Sequence, residues 1–156
     1  MTDRRTGTRA VTVPTDYVLL VGITALLASG LLVGAGGFVA DQQERAVHSG
    51  FEVVGNGVAA DLTTADRLAD SLGDEGRVTL TSDLPETVAG TTYQVSFEGG
   101  LVAPDTYVYD VVLTSTVTDV TVRVPVRTTR PVTADTLTGG PVELSGTPDG
   151  LEVRDV

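Results

Sequence analysis

The sequence predicts an α+β protein in which a long N-terminal helix is followed by a small antiparallel β-sheet domain. Three observations lead to this fold class. No charged residue occurs between Asp16 and Asp41. Apolar residues then recur every three or four positions as far as Leu72, and after Arg77 they alternate with polar ones. The first two patterns are typical of helices and the third of strands.

The uncharged run, residues 17–40, predicts a transmembrane helix, because at about 1.5 Å per residue it exceeds the roughly 30 Å of a bilayer's hydrocarbon core. Three arginines lie before it: Arg4, Arg5 and Arg9. The flank just after it, "DQQER", is acidic except for Arg45. This arginine bias predicts a single-pass cell-membrane protein with residues 1–16 in the cytoplasm and the C-terminal domain outside.

Residues 41–73 predict an extracytoplasmic amphipathic helix that continues the span. Its apolar residues fall at spacings of three and four: Val47, Phe51, Val54, Val58, Leu62, Ala65, Leu68 and Leu72. The acidic residues mostly fall between these positions, as they do on a helix with one buried face. Gly73 and Gly76 are expected to end the helix.

Residues 77–156 predict the antiparallel β domain. Short runs rich in Val, Thr and Tyr alternate with polar residues: "RVTLTSD", "TTYQVSFE", "TYVYDVVLTS", "DVTVRVPVRTT", "PVELS" and "LEVRD". The segments "LPETVAG", "EGG", "TGG" and "TPDG" separate them and are expected to form turns. Such alternation predicts an antiparallel sheet with one buried face. Pro125 within a strand pattern indicates an edge strand or a bulge.

The composition excludes several classes of function. All 10 basic residues are arginines, against 21 acidic residues and a net charge of −11, and this negative field argues against nucleic-acid binding. Acidic excess without lysine is typical of proteins that work in high salt, so we expect a halophilic source. The absence of cysteine excludes disulfides, zinc-thiolate sites and thiol nucleophiles.

No residue pattern indicates catalysis, a cofactor or a metal site, and we expect the protein not to be an enzyme. His48 is the only histidine, so one chain cannot form a His cluster or a His-based triad, and we expect it to be solvated. The glycines of "GNGVAA", residues 55–60, imitate a dinucleotide-binding loop, but they are better explained as small residues on a helix. Asp61, Asp66 and Asp70 lack calcium-loop spacing and are expected to form a solvated acidic face.

The segment "RAVT", Arg9 to Thr12, followed by the uncharged run, resembles the processing site of archaeal type IV pilin-like proteins, in particular the uncharacterised ones of halophilic archaea. The resemblance in motif covers residues 4–40, and the rest of the chain matches in layout. It implies that Arg9 and Ala10 end a leader removed by a prepilin-type peptidase, and that Val11 begins the mature protein. Asp16 resembles the acidic residue near the start of bacterial pilin helices, although haloarchaeal pilins are commonly apolar there.

The resemblance also implies that the span packs against other pilin-like helices within the membrane lipid. Gly30, Gly34 and Gly37 have the spacing that lets membrane helices approach closely, although glycine is frequent in such helices for other reasons. We therefore expect a non-enzymatic, membrane-anchored subunit of a surface or secretion-related assembly. The alternative is a lone anchored extracytoplasmic binding module that does not polymerise. An anchored enzyme would have only carboxylates for its chemistry.

Overall fold

The computed structural model describes residues 12–72 and 76–156, so the leader residues Arg9, Ala10 and Val11 lie outside its described part. The described chain contains one helix, α1 (Thr12–Ser71), followed by eight strands. It forms two compact units, of which the first ends at Gln42 and the second comprises Gln43–Val156. The predicted α+β class, with a long N-terminal helix before the strands, is confirmed.

The part of α1 in the second unit buries one face, as predicted. Val47, Phe51 and Leu62 are completely buried, and Val54, Val58 and Ala65 are buried with them. Leu68, however, is 39% exposed, and Ala69 is buried instead. Each residue turns the helix by about 100°, so the position four after Ala65 stays on the buried face while the position three after it swings toward solvent.

The eight strands form two four-stranded sheets. Their bounds are β1 (Val78–Leu84), β2 (Tyr93–Ala103), β3 (Thr106–Ser115), β4 (Thr121–Thr128), β5 (Val132–Ala134), β6 (Leu137–Thr138), β7 (Gly140–Thr147) and β8 (Gly150–Asp155). The first sheet has the order β1-β7-β8-β5 and the second the order β4-β3-β2-β6. All neighbouring strands are antiparallel except β5 and β8. The six predicted strands are present, divided between two sheets, and β5 and β6 are additional.

The helix and both sheets share one hydrophobic core. Gly55 brings α1 close to the second sheet, since a Cβ there would lie 2.8 Å from both Leu113 and Val124 side-chain atoms. Gly146 lets β7 of the first sheet lie close to α1 as well, because a Cβ there would lie 3.1 Å from the Cβ of Ala69. The helix after Gln43 therefore supplies part of the core of the β unit.

Two local predictions for the second sheet have different outcomes. Pro125 lies in β4, which is an edge strand as predicted, so its missing N–H falls where a sheet tolerates proline. The predicted turn at "EGG" is wrong, because β2 continues through it to Ala103. Gly99 has a φ of 145° opposite Tyr109, and the turn lies at Asp105, which has a φ of 53°. Asp tolerates this left-handed region better than most residues.

Candidate functional site

The N-terminal part of α1 is apolar and uncovered. It has a mean hydropathy of 2.4 over its most apolar 18 residues, and none of that window is buried. By length and composition the helix is able to cross a membrane. The large apolar side chains between Tyr17 and Val39 are exposed all around the helix. Exposed apolar surface of this extent requires a covering of lipid or of other protein.

The hydroxyl groups of this segment are satisfied within the helix. Thr24 Oγ1 donates to the carbonyl oxygen of Leu20 at 2.8 Å, and Ser29 Oγ donates to that of Ala25 at the same distance. These bonds let the two side chains lie in hydrocarbon, where no water is present to accept them.

The structure brings two of the predicted packing glycines together in one open groove. Gly30 and Gly34 form its floor, and Leu26, Leu27, Leu31 and Ala35 complete its lining. A Cβ added at either glycine would meet nothing within 4 Å. Gly37 is equally open but does not line the groove. The groove is a strip of bare backbone between leucine side chains, the shape that permits close approach of another helix.

The second unit carries the whole net charge. Residues 43–156 contain 18 of the 21 acidic residues and seven of the 10 arginines, which leaves the net charge of −11 on this unit. The first unit contains three residues of each sign and is neutral overall. The charge that argues against nucleic-acid binding is therefore located on the β unit.

The predicted solvated acidic face is wrong for Asp66, whose side chain is 8% exposed. Its carboxylate accepts hydrogen bonds from the backbone N–H of Thr129 at 2.8 Å and from Arg130 Nη1 at 3.1 Å. Arg130 Nη2 also donates to Asp70, which does remain exposed. Asp61 accepts a hydrogen bond from Ser82 on β1. Sequence reasoning missed these pairs because the partners are about 20 or 60 residues apart and no local spacing relates them.

Arg130 is held as a cation by this cluster. Burial by itself lowers the pKa of Arg130, but the hydrogen bonds and charges of Asp70 and Asp66 outweigh it and raise the pKa. Arg130 Nε is buried without a hydrogen-bond partner among the described residues. The arrangement ties α1 to the chain that leaves β4.

The structure agrees with the predictions for His48 and for "GNGVAA". His48 is exposed, and its Nδ1 lies 3.9 Å from Glu52 Oε1 one turn away. Gly55 and Gly57 lie within α1, so the strand and turn that a dinucleotide loop requires do not precede them. Within residues 12–72 and 76–156, no three His, Asp or Glu residues are grouped so as to hold a metal ion.

Comparison with known proteins gives one match. Residues 6–154 match the model of a family of unknown function, DUF7266. No curated protein matches the chain. No solved structure matches it either.

Proposed function

We propose that this chain, which belongs to the DUF7266 family of unknown function, is a non-enzymatic subunit of a pilin-like surface or secretion-related assembly in a halophilic archaeon. The observation that carries the proposal is the uncovered apolar part of α1 with its glycine groove. Lipid covers most of this helix, and a helix of another pilin-like subunit covers the groove.

The membrane location follows from the physical properties of the first unit. Its apolar segment is long enough to span the bilayer, and its hydroxyls need no water. The three arginines before the span set the orientation, with the N-terminus in the cytoplasm and the β unit outside. A prepilin-type peptidase would remove the leader after Ala10 and leave the helix on the mature protein.

The groove supports assembly because membrane helices gain little from apolar burial alone and associate where their backbones approach closely. Gly30 and Gly34 remove the side chains that would keep a neighbouring backbone away. In the second unit, a strip on the solvent side of α1 has a similar character. It contains Val53, which is 72% exposed, and Gly57, beside which a Cβ would meet nothing within 4 Å.

Catalysis is not part of the proposal. The chain lacks cysteine and lysine, and its one histidine is exposed, with its Nδ1 3.9 Å from Glu52 Oε1. The most buried acidic residue of α1, Asp66, is fully engaged with Thr129 and Arg130. The contacts of Asp66 are structural, which supports a subunit that acts by packing.

The test is a comparison of two glycine variants at neighbouring depths in the membrane. Gly34→Leu should fill the groove, whereas Gly36→Leu adds the same side chain two residues away, on the opposite side of the helix. A photo-cross-linking residue in place of Leu27 reports which proteins lie against the groove. We expect both variants to insert, since leucine favours the bilayer more than glycine does.

Gly34→Leu should lose the cross-links to pilin-like partners, at a cost of about 1 kcal/mol or more of association, and Gly36→Leu should keep them. A wild-type protein without any cross-linked partner would instead favour the lone anchored binding module. Equal cross-linking in the two variants would show that the groove is not the packing face.

A further inference from the structure

The outer face of the first sheet carries a cavity of about 300 Å³, a size at the lower end of ligand sites. Strand register explains its lining. Ser145 on β7 pairs with Glu152 on β8, which pairs in turn with Thr133 on β5. Cross-strand partners point to the same face of a sheet, so a hydroxyl, a carboxylate and a second hydroxyl lie in one row.

The next row of the sheet forms the hollow itself. Thr147 pairs with Gly150 there, and Arg77 and Pro131 line the two ends. Gly150 has no side chain to fill the centre of the row, and a Cβ at this position would lie 3.2 Å from the carbonyl oxygen of Pro131. Asp149, in the turn between β7 and β8, also lines the cavity.

The polar groups of the cavity differ in their contacts. Thr147 Oγ1 donates a hydrogen bond to the carbonyl oxygen of Gly150 at 3.2 Å. Ser145 lines the cavity, although the residue as a whole is only 5% exposed. Thr133 and Glu152, which are exposed, line the cavity beside Ser145. The row therefore presents donors and acceptors to whatever enters the cavity.

The chemistry of the lining selects the class of ligand. Two carboxylates against one guanidinium give a net negative site, which disfavours phosphates and other anions. The two carboxylates alone are too few for a protein calcium site, which uses six to eight oxygens. Carboxylates, hydroxyls and a guanidinium together match a ligand with many hydroxyl groups, each of which donates and accepts.

We propose that this cavity binds a sugar residue of a glycan. Glu152 and Asp149 accept hydrogen bonds from sugar hydroxyls, Arg77 donates to ring or hydroxyl oxygens, and Ser145 contributes at the floor. The site lies wholly within the second unit, so the inference does not depend on how the first unit is anchored.

The test uses the full chain in lipid nanodiscs free of glycolipid, at molar salt. Glucose, mannose, galactose and N-acetylglucosamine are titrated one at a time by ligand-observed NMR, with alanine and inorganic phosphate as comparison ligands. We expect at least one sugar to saturate at roughly millimolar concentration, the range open to a ligand of about 12 non-hydrogen atoms.

Three variants remove lining groups with little change in shape: Glu152→Gln, Ser145→Ala and Thr133→Ala. The matched control is Thr81→Ala, which removes the same group as Thr133→Ala from the same sheet face, beside Glu143 and outside the cavity. Glu152→Gln and Ser145→Ala should each weaken sugar binding by about fivefold or more, and Thr133→Ala should weaken it measurably. Thr81→Ala should leave it unchanged.

Circular dichroism of each variant separates loss of the site from loss of the fold. The proposal is overturned if no sugar saturates, or if Glu152→Gln and Ser145→Ala bind as the wild type does. Binding of alanine or phosphate in place of the sugars would overturn the assignment to a hydroxyl-rich ligand. These outcomes leave the membrane assembly untouched, since they concern only the β unit.

Discussion

Replacing Asp66 by alanine should destabilise the β unit far more than the same change at Asp70, one helical turn away. Both carboxylates bind Arg130 at 3.1 Å, so a count of ion pairs ranks them equally. They differ in exposure, because the side chain of Asp66 is 8% exposed and that of Asp70 is 76% exposed.

The structure sets the size of the difference. Removal of Asp66 leaves the cation of Arg130, whose side chain is only 14% exposed, with one partner fewer, and it also deprives the backbone N–H of Thr129 of its acceptor. Breaking one side of a buried pair costs about 3 to 5 kcal/mol. Arg130 keeps its bond to Asp70, so we expect about 3 kcal/mol, the lower end of this range. Removal of an exposed partner such as Asp70 costs about 1 kcal/mol or less.

Urea denaturation of the full-length protein in detergent at constant molar salt measures both values. Near-ultraviolet circular dichroism follows the buried tyrosines Tyr93 and Tyr109 and so reports on the β unit. A loss of 3 kcal/mol should lower the urea midpoint by about 1 to 3 M, and a loss of 1 kcal/mol or less should lower the Asp70→Ala midpoint by at most a third of that shift. Equal midpoints for the two variants would refute the reasoning that burial decides the strength of these contacts.

Three further predictions concern salt, topology and pH. Lowering the salt from molar to millimolar should unfold the β unit, which carries the net charge of −11, and an unchanged tyrosine signal would contradict the halophilic interpretation. Protease added outside intact cells should digest the region after Asp41 and spare the N-terminus, whereas a fully protected β unit would mean the opposite orientation. Burial raises the pKa of Tyr93 from 10.0 to about 12. The folded state therefore favours the neutral form of Tyr93, whereas in the unfolded chain this residue ionises above about pH 10. The free energy of unfolding should fall by on the order of 2 kcal/mol between about pH 10 and 12. Tyr93→Phe should remove this fall in stability, and an identical pH dependence in the variant would show that ionisation of Tyr93 does not cause it.

The helix and six strands could be predicted because each has a repeating pattern within its own residues. The additional strands could not, since β5 has three residues and β6 has two, which is too short for a period to be visible. The parallel pairing of Val132–Ala134 with β8 depends on contacts that no local pattern encodes. The division of the strands between two sheets also depends on such contacts and could not be predicted.

Among the candidate sites, too, only the one formed by residues close together in the sequence could be predicted. The groove at Gly30 and Gly34 could be predicted because its residues are four apart on one helix. The role of Asp66 could not, since Arg130 lies 64 residues further along the chain. The cavity beside Ser145 results from the register of separate strands, and its strand residues by themselves have the pattern of ordinary solvent-facing positions.

The mass of the mature protein, isolated from native membranes, tests the central claim most directly. Pilin-like processing after Ala10 predicts a protein that begins at Val11 and retains the apolar part of α1. A protein that still begins at Met1 would contradict assembly as a processed pilin-like subunit and would favour the lone anchored module. A protein that begins after Asp41 would show that the apolar helix is a discarded secretory signal and would contradict both interpretations.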